Sequence, residues 1–149
     1  MKIISNNLSD TLNVAQALGK VLRPGDVVAL QGTLGAGKTR FVEGMSRSFD
    51  LHKGYQVSSP SYVYQNIYHG RCPIYHLDLY RVESEEDVEM LGLDQSSEGQ
   101  GITIIEWFEK FPGAWNQPQV NIFLDILSED SRNIIIEPDH FLHDRGFSL

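Results

Sequence analysis

The chain has 149 residues, 41% hydrophobic and 21% charged, which excludes a disordered tail, a collagen-like rod and a coiled coil and fits one domain over residues 1–149. Twenty acidic against twelve basic residues give a net charge of −8, which disfavours direct binding of DNA or RNA, because non-specific affinity for either comes from cations that displace counterions. The single cysteine, Cys72, excludes a disulfide framework and a multi-cysteine zinc site; neither a signal-peptide core nor a run of about 18 apolar residues is present, so the expected setting is the cytoplasm, away from the membrane.

Leu12, Val14, Ala15, Leu18, Val21 and Leu22 recur at helical spacing and predict a helix over residues 9–22, capped by Ser9 or Asp10 and stopped by Arg23-Pro24-Gly25-Asp26. Val27-Val28-Ala29-Leu30 is short and apolar on consecutive positions, the pattern of a strand buried on both faces. A glycine-rich turn follows, and Phe41, Val42, Met45 and Phe49 continue at helical spacing. Residues 62–68 and 73–77 read as an antiparallel pair turning at His69-Gly70. Residues 84–91, acidic with Val88 and Leu91 on one side, read as a short solvated helix. Ile102-Thr103-Ile104-Ile105 is a second buried strand, and residues 121–127 pair with residues 133–137 across Ser128-Glu129-Asp130-Ser131-Arg132. The tail from Pro138 carries no clear pattern; His140 and His143, one turn apart without a carboxylate partner, read as surface residues.

The strongest chemical signal is Gly32-Thr33-Leu34-Gly35-Ala36-Gly37-Lys38-Thr39, a full G-x-x-x-x-G-K-[ST] phosphate loop between a strand and a helix. In such a loop the amides of Gly35, Ala36 and Gly37 cradle phosphates, Lys38 neutralises their charge, and the Thr39 hydroxyl ligates Mg²⁺. The competing reading is a glycine-rich turn with a solvated lysine, which explains neither the spacing nor the flanking elements. Two carboxylates follow buried strands and are candidates to complete the site: Glu106 after residues 102–105 and Asp78 after residues 74–77. Their plainer alternatives are an acid capping the next helix for Glu106 and a pairing with Arg81 for Asp78. His76 shares the strand face of Asp78, which suits proton handling, a metal role or simple core hydrogen bonding, and Trp107 could shield a nucleotide or a partner surface, or pack.

Taken together, Leu34-Gly35-Ala36-Gly37-Lys38-Thr39, Ser59-Pro60-Ser61-Tyr62, Tyr75-His76-Leu77-Asp78-Leu79-Tyr80-Arg81 and Ile105-Glu106-Trp107 resemble the TsaE (YjeE) family of bacterial tRNA threonylcarbamoyladenosine synthesis. The resemblance implies an α/β fold, a P-loop NTPase-like three-layer sandwich with a mixed central sheet. It implies an ATPase that works with TsaD and TsaB to place threonylcarbamoyl on N6 of adenosine 37, in tRNAs reading codons that begin with A. The subunit resets or regulates that assembly and meets tRNA only through it. ATP and Mg²⁺ are the implied cofactors. Lys38, Asp78 and Glu106 are then catalytic, with Thr39 and Glu106 on the metal and Asp78 near the γ-phosphate. Thr11 and Arg132 join Gly35, Ala36, Gly37, Lys38 and Thr39 around the nucleotide; Ser59, Ser61, His76 and Trp107 belong to a switch-like or partner-facing region. The sequence departs from the family pattern at Thr33, Arg40, Ser61 and Phe108, where Asp, Thr, Thr and Pro are frequent, and Ser61 keeps a hydroxyl.

Two alternatives share the phosphate loop. A small-molecule kinase would need an acceptor pocket and an arginine-rich lid, of which the sequence gives no sign. A nucleotide-dependent binding module would use ATP to set the shape of a surface, with turnover incidental. A GTPase is disfavoured because no Asn-Lys-x-Asp motif occurs.

Overall fold

The computed structural model describes residues 1–94, 99–115 and 118–149. In chain order the elements are β1 (Lys2–Ser5), α1 (Leu8–Val21), β2 (Val27–Gln31), α2 (Lys38–Ser46), β3 (Gln65–His69), β4 (Pro73–Asp78), α3 (Glu85–Met90), β5 (Ile102–Glu106), β6 (Val120–Ile126), β7 (Arg132–Glu137) and α4 (Asp139–Asp144). Two short 3-10 turns, Phe108–Lys110 and Pro112–Ala114, separate β5 from β6.

All seven strands form one mixed sheet in the order β1-β7-β6-β2-β5-β4-β3. β6, β2, β5 and β4 run parallel, while β3, β7 and β1 add antiparallel edges. The parallel strands are apolar on consecutive positions because both faces are covered. On one face Val28, Leu30, Ile74, Ile102 and Ile104 pack under α1, α2 and α4; on the other Val27, Ala29, Leu77 and Ile105 pack under Val88 of α3, Phe108 and Trp115. Helix, sheet and a thinner helical layer give the expected α/β three-layer sandwich, and no described helix is long and apolar enough to cross a membrane.

Helix α2, which carries the phosphate loop, lies directly on α1. A Cβ on Gly44 would meet the Ala15 Cβ at 2.6 Å and the Leu12 carbonyl oxygen at 2.8 Å, so only glycine permits this approach.

Local chemistry moves several sequence expectations. Helix α1 starts at Leu8 with Asn7, not Ser9 or Asp10, as its cap: Asn7 Oδ1 accepts from the Asp10 amide at 2.9 Å, and Asp10 Oδ2 accepts from the Asn6 amide at 3.0 Å. The strand expected from residue 62 begins only at Gln65, because the Val63 and Tyr64 amides donate to the Pro60 carbonyl and fold residues 61–63 into a turn. In α3 it is Val88 that is buried, while Leu91 is exposed and Leu93 takes its place. The tail forms α4, and Arg145 anchors it with a two-pronged pair to the Asp26 carboxylate, both contacts at 3.1 Å. β1 was not anticipated at all; it pairs with β7, far away in sequence. His140 and His143 are exposed, as expected.

Candidate functional site

The parallel register aligns three strand ends. Leu30 of β2 and Asp78 of β4 both stand beside Glu106 of β5, at the carboxyl edge of the sheet where α/β folds bind ligands. The chain leaves β2 through the glycine loop and enters α2, whose first amides have no partner within the helix and point towards that edge. Gly37 caps α2 with φ 106°, a left-handed conformation that side chains disfavour. The Ala36 amide turns inward onto the Thr33 carbonyl at 3.0 Å.

A cleft of about 400 Å³ opens there, lined by Gly35, Lys38, Thr39, Asp78, Glu106 and Trp107 among others. The Lys38 ammonium folds back across the loop, donating to the carbonyls of Gly32 at 2.5 Å and Thr33 at 3.0 Å, and sits 3.8 Å from the centre of the Trp107 ring. Burial pushes its pKa below the usual lysine value, against the opposing pull of Glu109, Glu106 and Asp78. Glu109 also accepts a hydrogen bond from the Gly32 amide at 3.2 Å, which ties the loop to the turn after β5.

Glu106 is 2% exposed and its oxygens face two donors. The Thr39 hydroxyl lies 2.9 and 3.1 Å from Oε1 and Oε2, and His76 Nε2 lies 2.7 Å from Oε1. The carboxylate therefore faces the cleft and does not cap the following turn. Behind it, His76 Nδ1 meets the Tyr68 hydroxyl at 3.1 Å. Burial raises the Tyr68 phenol above its ordinary pKa, so it stays protonated at neutral pH.

Asp78 occupies the far wall. Its Oδ1 accepts from the Tyr80 amide at 2.8 Å and its Oδ2 from the Ser59 hydroxyl at 3.1 Å. Arg81 instead stacks over the Tyr62 ring at 4.2 Å, so the alternative pairing of Asp78 with Arg81 is not formed. Burial is the main cause that lifts the Asp78 pKa above 3.8, with Glu106 adding to it. The folded chain therefore binds a proton at Asp78 more tightly than the unfolded chain, and this residue costs stability wherever it is ionised. In the ligand-free protein Asp78→Asn is expected to raise the melting temperature at neutral pH. The advantage should fade as pH falls through the raised folded pKa towards the unfolded value; a thermal shift series across that range checks it.

A second cleft of about 250 Å³ lies on the other side of the loop, lined by Thr11, Gly35, Ala36, Gly37, Arg40, Glu129 and Arg132 among others. The structure thus brings Thr11 and Arg132 to the loop. The Thr11 hydroxyl bonds Ser5 Oγ at 2.8 Å, and Arg132 Nε donates to the Ala36 carbonyl at 2.9 Å. Ser59 and Ser61 line the first cleft opposite Thr39.

Tyr68, Ser58 and Glu109 also join the site, with no motif to mark them. Alternation along β3 signals that Tyr68 faces inward, but its contact with His76 is diagonal to the β3–β4 register and carries no motif. The oxygen donors of Thr39 and Glu106 suit Mg²⁺, which is commonly held by one or two carboxylates together with substrate phosphates. Among the described residues no three His, Cys, Asp or Glu side chains form an all-protein metal cage.

Comparison with known proteins points one way. The sequence model of a family described as "Threonylcarbamoyl adenosine biosynthesis protein TsaE" matches residues 5–134. A Treponema pallidum protein named tRNA threonylcarbamoyladenosine biosynthesis protein TsaE is 35% identical over 136 residues, covering 91% of this chain and 99% of its own. A Nostoc protein of the same name is 39% identical over 142 residues, covering 92% and 85%. In three dimensions the chain is similar to the crystal structure of Bacillus subtilis YdiB, with a TM-score of 0.81 at 26% identity and coverage of 98% and 93%.

Proposed function

The chain belongs to the TsaE family, which takes part in tRNA threonylcarbamoyladenosine biosynthesis, and from that premise we propose that it binds and hydrolyses Mg²⁺–ATP beside TsaD and TsaB, without itself modifying tRNA. The modification it serves is the threonylcarbamoyl group on N6 of adenosine 37. The observation that carries the reading is the meeting of the Thr39 hydroxyl and the Glu106 carboxylate at the mouth of the glycine loop, within the cleft walled by Lys38 and Asp78.

On this reading the Gly35 and Gly37 amides and Lys38 take the β- and γ-phosphates, the Ala36 amide being engaged by the Thr33 carbonyl, and Thr39 with Glu106 would hold Mg²⁺, which would supply charge neutralisation. Asp78, desolvated and fixed by Ser59 and Tyr80, orients the attacking water. Water attacks the γ-phosphorus, the bond to the bridging oxygen breaks, and ADP and phosphate leave. Thr11 and Arg132 hold the nucleoside end in the second cleft.

Turnover by the isolated chain is slow on this reading. Arg40 is the one arginine among the described residues lining the first cleft, and its guanidinium is paired with Glu43 at 2.7 Å. Among the described residues no arginine but this paired one lines the first cleft, whereas an arginine on the transferring phosphoryl group contributes about 10³–10⁵-fold where it exists. Wild-type chain is expected to bind Mg²⁺–ATP by calorimetry and to release phosphate at least tenfold faster with TsaD and TsaB than alone. Equal rates would count against the partner role, and absent binding against the whole reading. The exposed acidic residues Glu85, Glu86 and Glu89 of α3 favour docking on a basic partner face, with affinity falling as salt rises. Complex formation with ATP, ADP and a non-hydrolysable analogue separates hydrolysis from a nucleotide-dependent binding module.

A further inference from the structure

Behind Glu106 a buried chain of hydrogen bonds runs away from the cleft and ends on the loop that walls the cleft's other side. A carboxylate only accepts hydrogen bonds, so the 2.7 Å contact places the proton on His76 Nε2. In a neutral imidazole Nδ1 is then an acceptor, and the donor facing it at 3.1 Å is the Tyr68 hydroxyl. The phenol oxygen in turn lies 3.4 Å from two donors, the Ser58 amide and Asn66 Nδ2. Those donors occupy its lone pairs, and Asn66 Nδ2 also serves the Ser58 carbonyl at 3.3 Å. The phenolic proton then has two acceptors in reach, the Ser58 carbonyl at 3.3 Å and His76 Nδ1 at 3.1 Å; Asn66 already serves that carbonyl, so the shorter contact takes the proton to His76. Both rings are enclosed, Tyr68 at 4% and His76 at 0% exposure, so water offers no replacement partner.

We propose that Tyr68 is a positioning residue. Its hydroxyl locks the His76 ring so that Nε2–H is committed to Glu106, and it ties the aim of that carboxylate to the backbone at Ser58. Residues 58 and 59 thus hold both acids of the cleft, Asp78 directly through the Ser59 hydroxyl and Glu106 through Tyr68 and His76. Partners that orient a metal-binding group commonly matter tenfold to a hundredfold for metal affinity or activity. The part of the proposal that concerns metal rests on the Mg²⁺–ATP reading above; the hold on His76 does not.

The test is Tyr68→Phe in the full chain, which keeps the ring and removes the hydroxyl. In the nucleotide-free protein, long-range ¹⁵N NMR is expected to show His76 Nδ1 as a hydrogen-bonded acceptor, and its signal should move downfield in the variant as the donor is lost. The Mg²⁺ concentration that half-saturates ATP hydrolysis should rise about tenfold, while ATP affinity in EDTA stays put. An unmoved Nδ1 signal overturns the lock, and an unmoved Mg²⁺ requirement overturns its consequence for Glu106. A wild-type chain that binds no Mg²⁺–ATP would overturn the hydrolase reading and leave the nitrogen signal to decide the lock alone. If the phenylalanine variant does not fold, site-specific 3-fluorotyrosine, a stronger donor, should shift the same signal the opposite way, and no shift overturns the lock.

Discussion

Replacing Lys38 with alanine is expected to lower ATP affinity at least about a hundredfold, to below detection in a calorimetric titration. The ammonium lies across the loop, held by the Gly32 and Thr33 carbonyls and the Trp107 ring, at the wall of the cleft to which the proposed function assigns the phosphates. A hydrogen bond to a charged group contributes about 1.5–3 kcal/mol, and one lysine reaching two phosphates makes two of them. Since about 1.4 kcal/mol is a factor of ten, their loss exceeds two orders of magnitude. The fold should survive, because Gly32 is half-buried and Thr33 exposed, so the carbonyls that Lys38 serves can turn to water. A melting temperature within a few degrees of wild type, beside lost binding, separates loss of the site from loss of the protein. Unchanged affinity would refute the phosphate assignment.

Glu106→Gln is expected to cut ATP hydrolysis at least about a hundredfold while nucleotide binding in EDTA tightens a few-fold. The substitution keeps volume and one acceptor. His76 Nε2–H requires that acceptor, so the new amide nitrogen must face Thr39 and the cleft. Hydrogen-bond donors then point where a cation would sit, and the affinity for Mg²⁺ falls. The removed negative charge also lies beside a polyanion, which accounts for tighter metal-free binding. Phosphate release by the variant at the wild-type rate would show that Glu106 has no part in the metal site. Opposite signs for hydrolysis and EDTA binding are the useful signature, since general damage to the fold would lower both.

What could be read from the residues alone was what short stretches of chain determine. The strand-loop-helix around Lys38 is legible because its glycines, lysine and hydroxyl are consecutive, and His76 with Asp78 because alternate strand residues share a face. The ends of β4 and β5 also mark Asp78 and Glu106 as edge acids. That they are neighbours depends on the β4–β5 register, which is set by packing between segments almost thirty residues apart. β1 was missed for the same reason: four residues whose pairing partner lies near the other end of the chain have no periodicity to display. Residues 62–64 misled because their aromatic alternation suits a strand, yet the Pro60 carbonyl captures two amides and bends the backbone, leaving Tyr64 at φ 66°. Tyr68 and Glu109 act by contacts across the fold, and their residue types are too ordinary to single them out.

The bare backbone at Gly44 sets how the cleft can respond when it fills. With α2 pressed against α1 at atomic contact, the helix bearing Lys38 and Thr39 has no slack to slide or tilt. Compliance is left to residues 58–64, a stretch outside the regular elements that meets Asp78 through the Ser59 hydroxyl and the Tyr64 carbonyl, and Glu106 only by way of Tyr68 and His76. One wall of the cavity is an anvil and the opposite wall a latch.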